Sequence, residues 1–319
     1  MAAQSGAEAE VSGDNEMHTN GGEDANDAIH PSPSATTSRV GNGSAAEPPP
    51  EYGVLNIHEE SIDYDMKHKS FGKCIILNHE FFKRTDVCPQ RKGSSADANN
   101  LFQCFTNIGF DVKMKNDMDC QQLFQYMSSV SKEDHSDNDC FVCCILTHGT
   151  NDSLWAYDQL YSFESILSFF TGDNCKSLAA KPKIFIIQAC RGAKYDAGVD
   201  VKVPTDVCDS GNGCKIVKIP AYADFLIAYS AFSGLYSWRN TLEGSWFINF
   251  FTKVVNQYHK NMDLLSMLTI INQKVAYNCA SMTKEEADNG KKQVGCITHT
   301  LTRRIFFAPK EHSSRSTYL

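Results

Sequence analysis

The sequence predicts an α/β fold, a mostly parallel sheet with helices on both faces. Two observations carry that expectation. From about residue 70 strand-like and helix-like segments alternate along the chain. Several of the strand-like segments, KCIIL, CFVCCILT and PKIFII, are short unbroken apolar runs, as buried strands are. In such sheets functional residues gather beyond the carboxyl ends of the strands.

The first strand is expected over Lys73–Leu77. Leu101, Cys104, Phe105 and Ile108 then share one helical face, and Gly109 is a stop signal. Asp111–Lys115 reads as a weaker strand. Asp119 is placed to cap a helix, with Gln122 at the capping-box position before Leu123, Phe124, Met127 and Val130. Cys140–Thr147 is a buried strand, Phe163–Phe170 a helix and Pro182–Ile187 another buried strand. Phe225–Ser230 is a fifth strand, followed by helices over Ser245–His259 and Asp263–Cys279. Leu301–Phe307 is expected to close the sheet.

Two segments fall outside this pattern. Residues 1–50 hold eight Asp/Glu, one Arg, five prolines and no aromatic residue, giving a net charge of -7. Such a segment buries too little apolar surface to offset its ordering entropy, so a disordered acidic tail is expected. Residues 191–220 contain no strand or helix pattern, and a loop of that length usually has a function of its own. It holds Asp196, Asp200, Asp206 and Asp209 among several glycines.

Composition excludes several classes. The net charge of -8 leaves no basic excess to neutralise nucleic-acid phosphates. No apolar run is long enough for a membrane-spanning helix. The start, MAAQSGAEAE, has neither the basic nor the apolar part of a secretory leader, and a cytoplasmic protein is expected. The thirteen cysteines are odd in number, and many lie inside apolar runs, which fits reduced core thiols better than a disulfide framework. Cys140 and Cys143 form a C-x-x-C with no second pair at zinc-finger spacing, so no metal is expected.

The chemistry sits at two strand ends. PKIFII runs into Gln188-Ala189-Cys190-Arg191-Gly192, and CFVCCILT runs into His148-Gly149. A thiolate is the reactive form of cysteine, and a nearby His or cation promotes it. His is suited to accept and return the proton near neutrality. Gly149 has no side chain, so its N–H can face a developing oxyanion.

Q-A-C-R-G behind a strand, with a His upstream, is a specific signature, and on it the chain resembles the caspases. The likeness runs from about residue 64 to 307 and includes HKSFGKCIILNHEFF, DHSDNDC, KIPAYADFLIAYS and YSWRNTLEGSWFINF. It implies a three-layer sandwich around a six-stranded sheet. It implies Cys190 as nucleophile, His148 as general acid/base, the N–H groups of Gly149 and Cys190 as oxyanion donors, and the Pro89 carbonyl as the group orienting the His. It also implies that Arg91, Gln188 and Arg239 hold the carboxylate of a substrate aspartate. Arg suits this because it meets a carboxylate bidentately and keeps its charge. Tyr236, Ser237 and Trp238 would line the next pocket, and Asn240 and Trp246 the pocket for the fourth residue upstream. The stretch Cys279–Gly290 lacks the aromatic residues that effector caspases often place there, and Met282 stands where a Phe is expected.

By the same resemblance the chain is a zymogen. Residues 51–209 would form a large subunit and 210–319 a small one, the mature form being a homodimer of such pairs without a cofactor. Cleavage is expected after Asp209, in Asp206-Val207-Cys208-Asp209-Ser210, with Asp206 as the rival site, and in the tail after Asp27. The second cut would expose Ala28-Ile29, which resembles the motif bound by inhibitor-of-apoptosis proteins. The tail has no helical repeat for a death-fold recruitment domain, which favours an effector caspase, cutting proteins at exposed aspartates and activated by an upstream initiator. The alternatives are an initiator or inflammatory caspase, a catalytically silent decoy, and a doubly wound cofactor-binding protein. The last lacks any G-x-G-x-x-G or P-loop motif after a strand.

Overall fold

A computed structural model describes residues 61–150, 153–191, 220–240, 244–281 and 289–310, all within one unit, Glu51–Leu319. The expected acidic tail, Asp27, Ala28, Asp206, Asp209, Met282 and most of the 191–220 loop lie outside the described residues, as does the side chain of Asn240.

Six strands form the main sheet. These are β1 (Lys73–Asn78), β2 (Asp111–Asn116), β3 (Phe141–Leu146), β6 (Lys183–Gln188), β7 (Phe225–Tyr229) and β10 (Cys296–His299), in the order β10-β7-β6-β3-β1-β2. All neighbours are parallel except β10, which pairs antiparallel with β7. Successive strand residues point to opposite faces, so each buried strand feeds two cores. Ile76, Cys144 and Ile186 enter a core with Leu101, Phe251 and Ile271, from α1 (Ser94–Ile108), α4 (Trp246–Tyr258) and α5 (Leu264–Asn278). Ile75, Cys143 and Phe185 enter the other, against α2 (Cys120–Ser131) and α3 (Phe163–Leu167). The three-layer architecture follows from that alternation. The cysteines act here as core side chains, and burial raises the thiol pKa of Cys74, Cys140 and Cys143 well above the ordinary range.

Local signals set the helix ends. Gly109 closes α1 in the left-handed region, at φ 110°. Asp119 and Gln122 form the capping box of α2. The side chains of Ser245 and Asp263 cap α4 and α5. The helix expected over 163–170 is α3 continued by a 3-10 turn, Ser168–Phe170.

One expectation is corrected. The closing strand is Cys296–His299, not Leu301–Phe307. The strand is half exposed, so its apolar signal is weak. The apolar residues Ile305 and Phe307 are buried for another reason: Phe307 packs edge-on against Phe71 and Phe110. Their segment forms no strand ladder; its backbone meets the rest of the chain at the bridge of Asp63 to Arg304 and where the Leu264 N–H donates to the Ile305 carbonyl at 2.9 Å. Two short hairpins also lie outside the sequence reading. They are β4 (Ser153–Trp155) with β5 (Leu160–Ser162), and β8 (Arg239–Asn240) with β9 (Gly244–Ser245).

Candidate active site

β3 and β6 run parallel with Leu146 opposite Gln188, and the Thr147 N–H continues the pairing to the Gln188 carbonyl at 3.1 Å. His148 and Cys190 each stand two residues past that matched pair, so both strands deliver their reactive residue at the same end of the sheet. Gly149 confirms the approach. A Cβ placed on it would lie 2.8 Å from the Cys190 carbonyl oxygen and 3.1 Å from Ala189 Cβ. Only glycine lets the two backbones meet so closely.

The β4–β5 hairpin fixes His148 from behind, because the Trp155 N–H donates to the His148 carbonyl at 3.0 Å. Nε2 of His148 lies 2.8 Å from the Pro89 carbonyl. A carbonyl only accepts, so Nε2 carries the proton of the neutral ring and Nδ1 is the basic nitrogen. Phe82 covers the ring at 4.9 Å between centroids. Burial lowers the His148 pKa to about 4, with Arg91 and Arg239 adding to the effect and the Pro89 hydrogen bond opposing it. Burial likewise raises the Cys190 pKa, against smaller opposing effects from Ser237 and the same two arginines. At neutral pH these shifts favour a neutral thiol at Cys190 and a neutral imidazole at His148.

Arg91 is almost fully buried. Its Nη1 donates to the His79 carbonyl at 3.0 Å and to Ser94 Oγ at 2.5 Å, and Ser94 in turn donates to Asn78. Its Nη2 is 3.5 Å from the Gln188 carbonyl. Arg239 reaches across from β8 and donates through Nε to the Lys92 carbonyl at 2.9 Å. Burial lowers the Arg91 pKa to about 9, and repulsion from Arg239 adds to this. Gln188 Nε2 donates to Ser237 Oγ at 2.8 Å, while its Oε1 is buried without a hydrogen-bond partner among the described residues. The Nε2 end is anchored by one N–H and keeps a second N–H to donate, while Oε1 can only accept.

Tyr236, Trp238 and Trp246 form an aromatic wall beside these groups. Centroids of the first two lie 5.1 Å apart, and the two indoles are stacked at 5.9 Å. The structure thus brings together Pro89, Arg91, His148, Gly149, Gln188, Cys190, Ser237, Trp238 and Arg239. Sequence reading missed the residues beneath them. Gln293 accepts the Trp238 backbone N–H at 2.7 Å and donates to the Ser230 carbonyl at 2.7 Å and to Ser237 Oγ at 3.3 Å. No local pattern marks Gln293. Ser94 and Asp97 stand in RKGSSADANN, and their spacing after Arg91, at the start of a helix, was the available signal.

Comparison with known proteins agrees with this geometry. Residues 71–306 match the family model described as the caspase domain. The chain is 40% identical over 246 residues to caspase-3 of Felis catus, covering 76% of this chain and 86% of the relative. It is 35% identical over 285 residues to caspase-6 of Gallus gallus, covering 87% and 93% respectively. Among solved structures, caspase-1 from Spodoptera frugiperda superposes with a TM-score of 0.75 at 34% identity, covering 81% of this chain and 100% of that one.

Proposed function

The chain belongs to the caspase family, and from that premise we propose how its residues divide the work of an Asp-specific cysteine endopeptidase. It is an effector-type caspase, the class that executes apoptosis. The observation that carries the proposal is the pairing of His148 and Cys190 at one sheet end beside two convergent guanidiniums.

A substrate aspartate places its carboxylate between Arg91 and Arg239, with the second N–H of Gln188 Nε2 completing the receptor. An asparagine there leaves buried positive charge unpaired and is rejected. His148 Nδ1 takes the thiol proton as Cys190 Sγ attacks the scissile carbonyl carbon. The oxyanion is met by the N–H groups of Gly149 and Cys190. The carbon–nitrogen bond breaks, His148 returns its proton to the leaving amine, and an acyl-enzyme remains. Water then attacks the thioester carbon, His148 taking its proton; the carbon–sulfur bond breaks, the acid product leaves, and His148 returns the proton to Cys190 Sγ.

Tyr236, Trp238, Trp246 and Asn240 would line the outer pockets, with preference for Asp-x-x-Asp. Activation is proposed to follow cleavage after Asp209, or Asp206, by an upstream initiator caspase. Asp27 would be the site of tail removal, and the Ala28 it exposes would engage inhibitor-of-apoptosis proteins. Dimerisation of large/small pairs is supported by β10, a strand with exposed Thr298 and His299 that is at the sheet edge among the described residues. No helix among the described residues is long and apolar enough to cross a membrane, in keeping with a cytoplasmic site of action.

A panel of fluorogenic tetrapeptides ending in Asp, varied at the fourth residue upstream, tests the reading against Cys190→Ala. Best cleavage of Asp-x-x-Asp by the wild type and none by the variant is expected. A processed wild type that cuts none of the panel overturns it.

A further inference from the structure

Asp97 stands in the first turn of α1 and is fully buried. Its Oδ1 accepts the Ser245 backbone N–H at 2.8 Å. Ser245 lies directly opposite Arg239 in the β8–β9 hairpin, so this bond ties the strand pair carrying Arg239 to the helix that follows Arg91. Gly244 makes the approach possible. It adopts φ 85°, and any Cβ there would run into the Asp97 carboxylate. The second oxygen, Oδ2, is buried with no hydrogen-bond partner among the described residues. The peptidase steps give this carboxylate no task.

The charges around it supply one. From the loop before α1 comes Arg91, with Glu80 farther along the same loop, and from β8 comes Arg239. β9 contributes only Ser245. The two guanidiniums repel each other, and Asp97 is the largest contributor opposing that repulsion at Arg91. We propose that Asp97 is a positioning residue of the aspartate receptor: its carboxylate holds β9 on α1 and keeps Arg91 and Arg239 converged until a substrate carboxylate arrives. This rests on the reading of the two arginines as that receptor.

The proposal predicts a pH signature. Burial raises the Asp97 pKa to about 6, against the pull of Ser245 and both arginines. Below that pH the charge is lost, the arginines separate and substrate binding weakens. A peptide aspartate, with an ordinary pKa of about 3.9, does not titrate there, and neither does His148, whose pKa is about 4.

The test measures KM and kcat separately on the active protein from pH 7.5 to 5, for peptides ending in Asp or Asn, with wild type and Asp97→Asn. The expected wild type strongly prefers Asp, and its KM rises as pH falls through 6. At pH 7.5 Asp97→Asn is expected to raise KM about tenfold, to change kcat less than about threefold, and to lose the acid rise in KM. A wild type that does not discriminate Asp from Asn overturns the receptor reading, and this proposal with it. A wild type that discriminates but has a flat KM overturns the Asp97 proposal alone, even if the variant does not fold. A folded Asp97→Asn with wild-type KM and pH profile does the same.

Discussion

Gly149 lies so close to Cys190 that a methyl group on it would sit 2.8 Å from the Cys190 carbonyl oxygen. The contact joins the turn after β3 to the turn after β6. Gly149→Ala should therefore push the two turns apart and displace the N–H proposed as an oxyanion donor. The expected loss is about 100-fold or more in kcat, the usual cost of removing such a donor. Steady-state kinetics beside a thermal melt checks this. A variant that melts lower but turns over normally argues against the placement of the donor.

The neutral Cys190–His148 pair leads to a reactivity prediction. Burial raises the thiol pKa and lowers that of the imidazole to about 4. Without substrate, iodoacetamide should alkylate Cys190 slowly at pH 5 to 8, with the rate rising continuously toward alkaline pH. Mass spectrometry of the modified peptide measures this. A rapid plateau extending down to about pH 4 would mean a thiolate–imidazolium pair instead.

Gln293 satisfies three buried groups at once, the Trp238 N–H, the Ser230 carbonyl and the Ser237 hydroxyl. Gln293→Leu keeps the volume and leaves the Trp238 backbone N–H and the Ser230 carbonyl unmet, while the Ser237 hydroxyl keeps Gln188 and Ser230 Oγ. A loss of about 3 kcal/mol is expected, since each stranded buried group costs about 1–3 kcal/mol and some relaxation follows. Urea unfolding provides the value. Gln293→Glu, which keeps the acceptor for Trp238 but loses both donated bonds, should fall between the two.

His79 is buried beside Arg91, and its pKa drops from 6.5 to about 4, mainly through burial. The unfolded chain takes up this proton first as pH falls. The stability is thus complete above about 6.5 and is lost between there and about 4. Asp97 works in the opposite sense, because its raised pKa favours the folded state as acid is added. Comparing wild type with His79→Gln isolates the first effect. Between pH 7.5 and 5 the wild type should lose about 2 kcal/mol more than the variant in chemical unfolding.

The sheet was legible because its strands are buried on both faces, which leaves unbroken apolar runs such as FVCCIL and KIFIIQ. Asp119 with Gln122 was equally plain, because a capping box is a local bond pattern. β10 was missed for the converse reason. Its residues face outward in part, while Ile305 and Phe307 show a strand-like pattern because they are core anchors. That His148 and Cys190 end neighbouring strands, with Arg91 and Arg239 converging nearby, was legible through their motifs. Gln293 and Asp97 were not, because their roles depend on residues more than fifty positions away in the chain, Ser230 and Ser245.

The proposed aspartate receptor is assembled from both sides of the 191–220 loop. Arg91 and Gln188 come before it, and Arg239 and Ser237 come after it. A cut anywhere in that loop leaves two pieces, and each carries only part of the pocket. A stray fragment lacking its mate has no complete means of choosing a target. On the proposed reading the interrupted site is thus an interlock: the complete selectivity pocket exists only while both pieces stay docked.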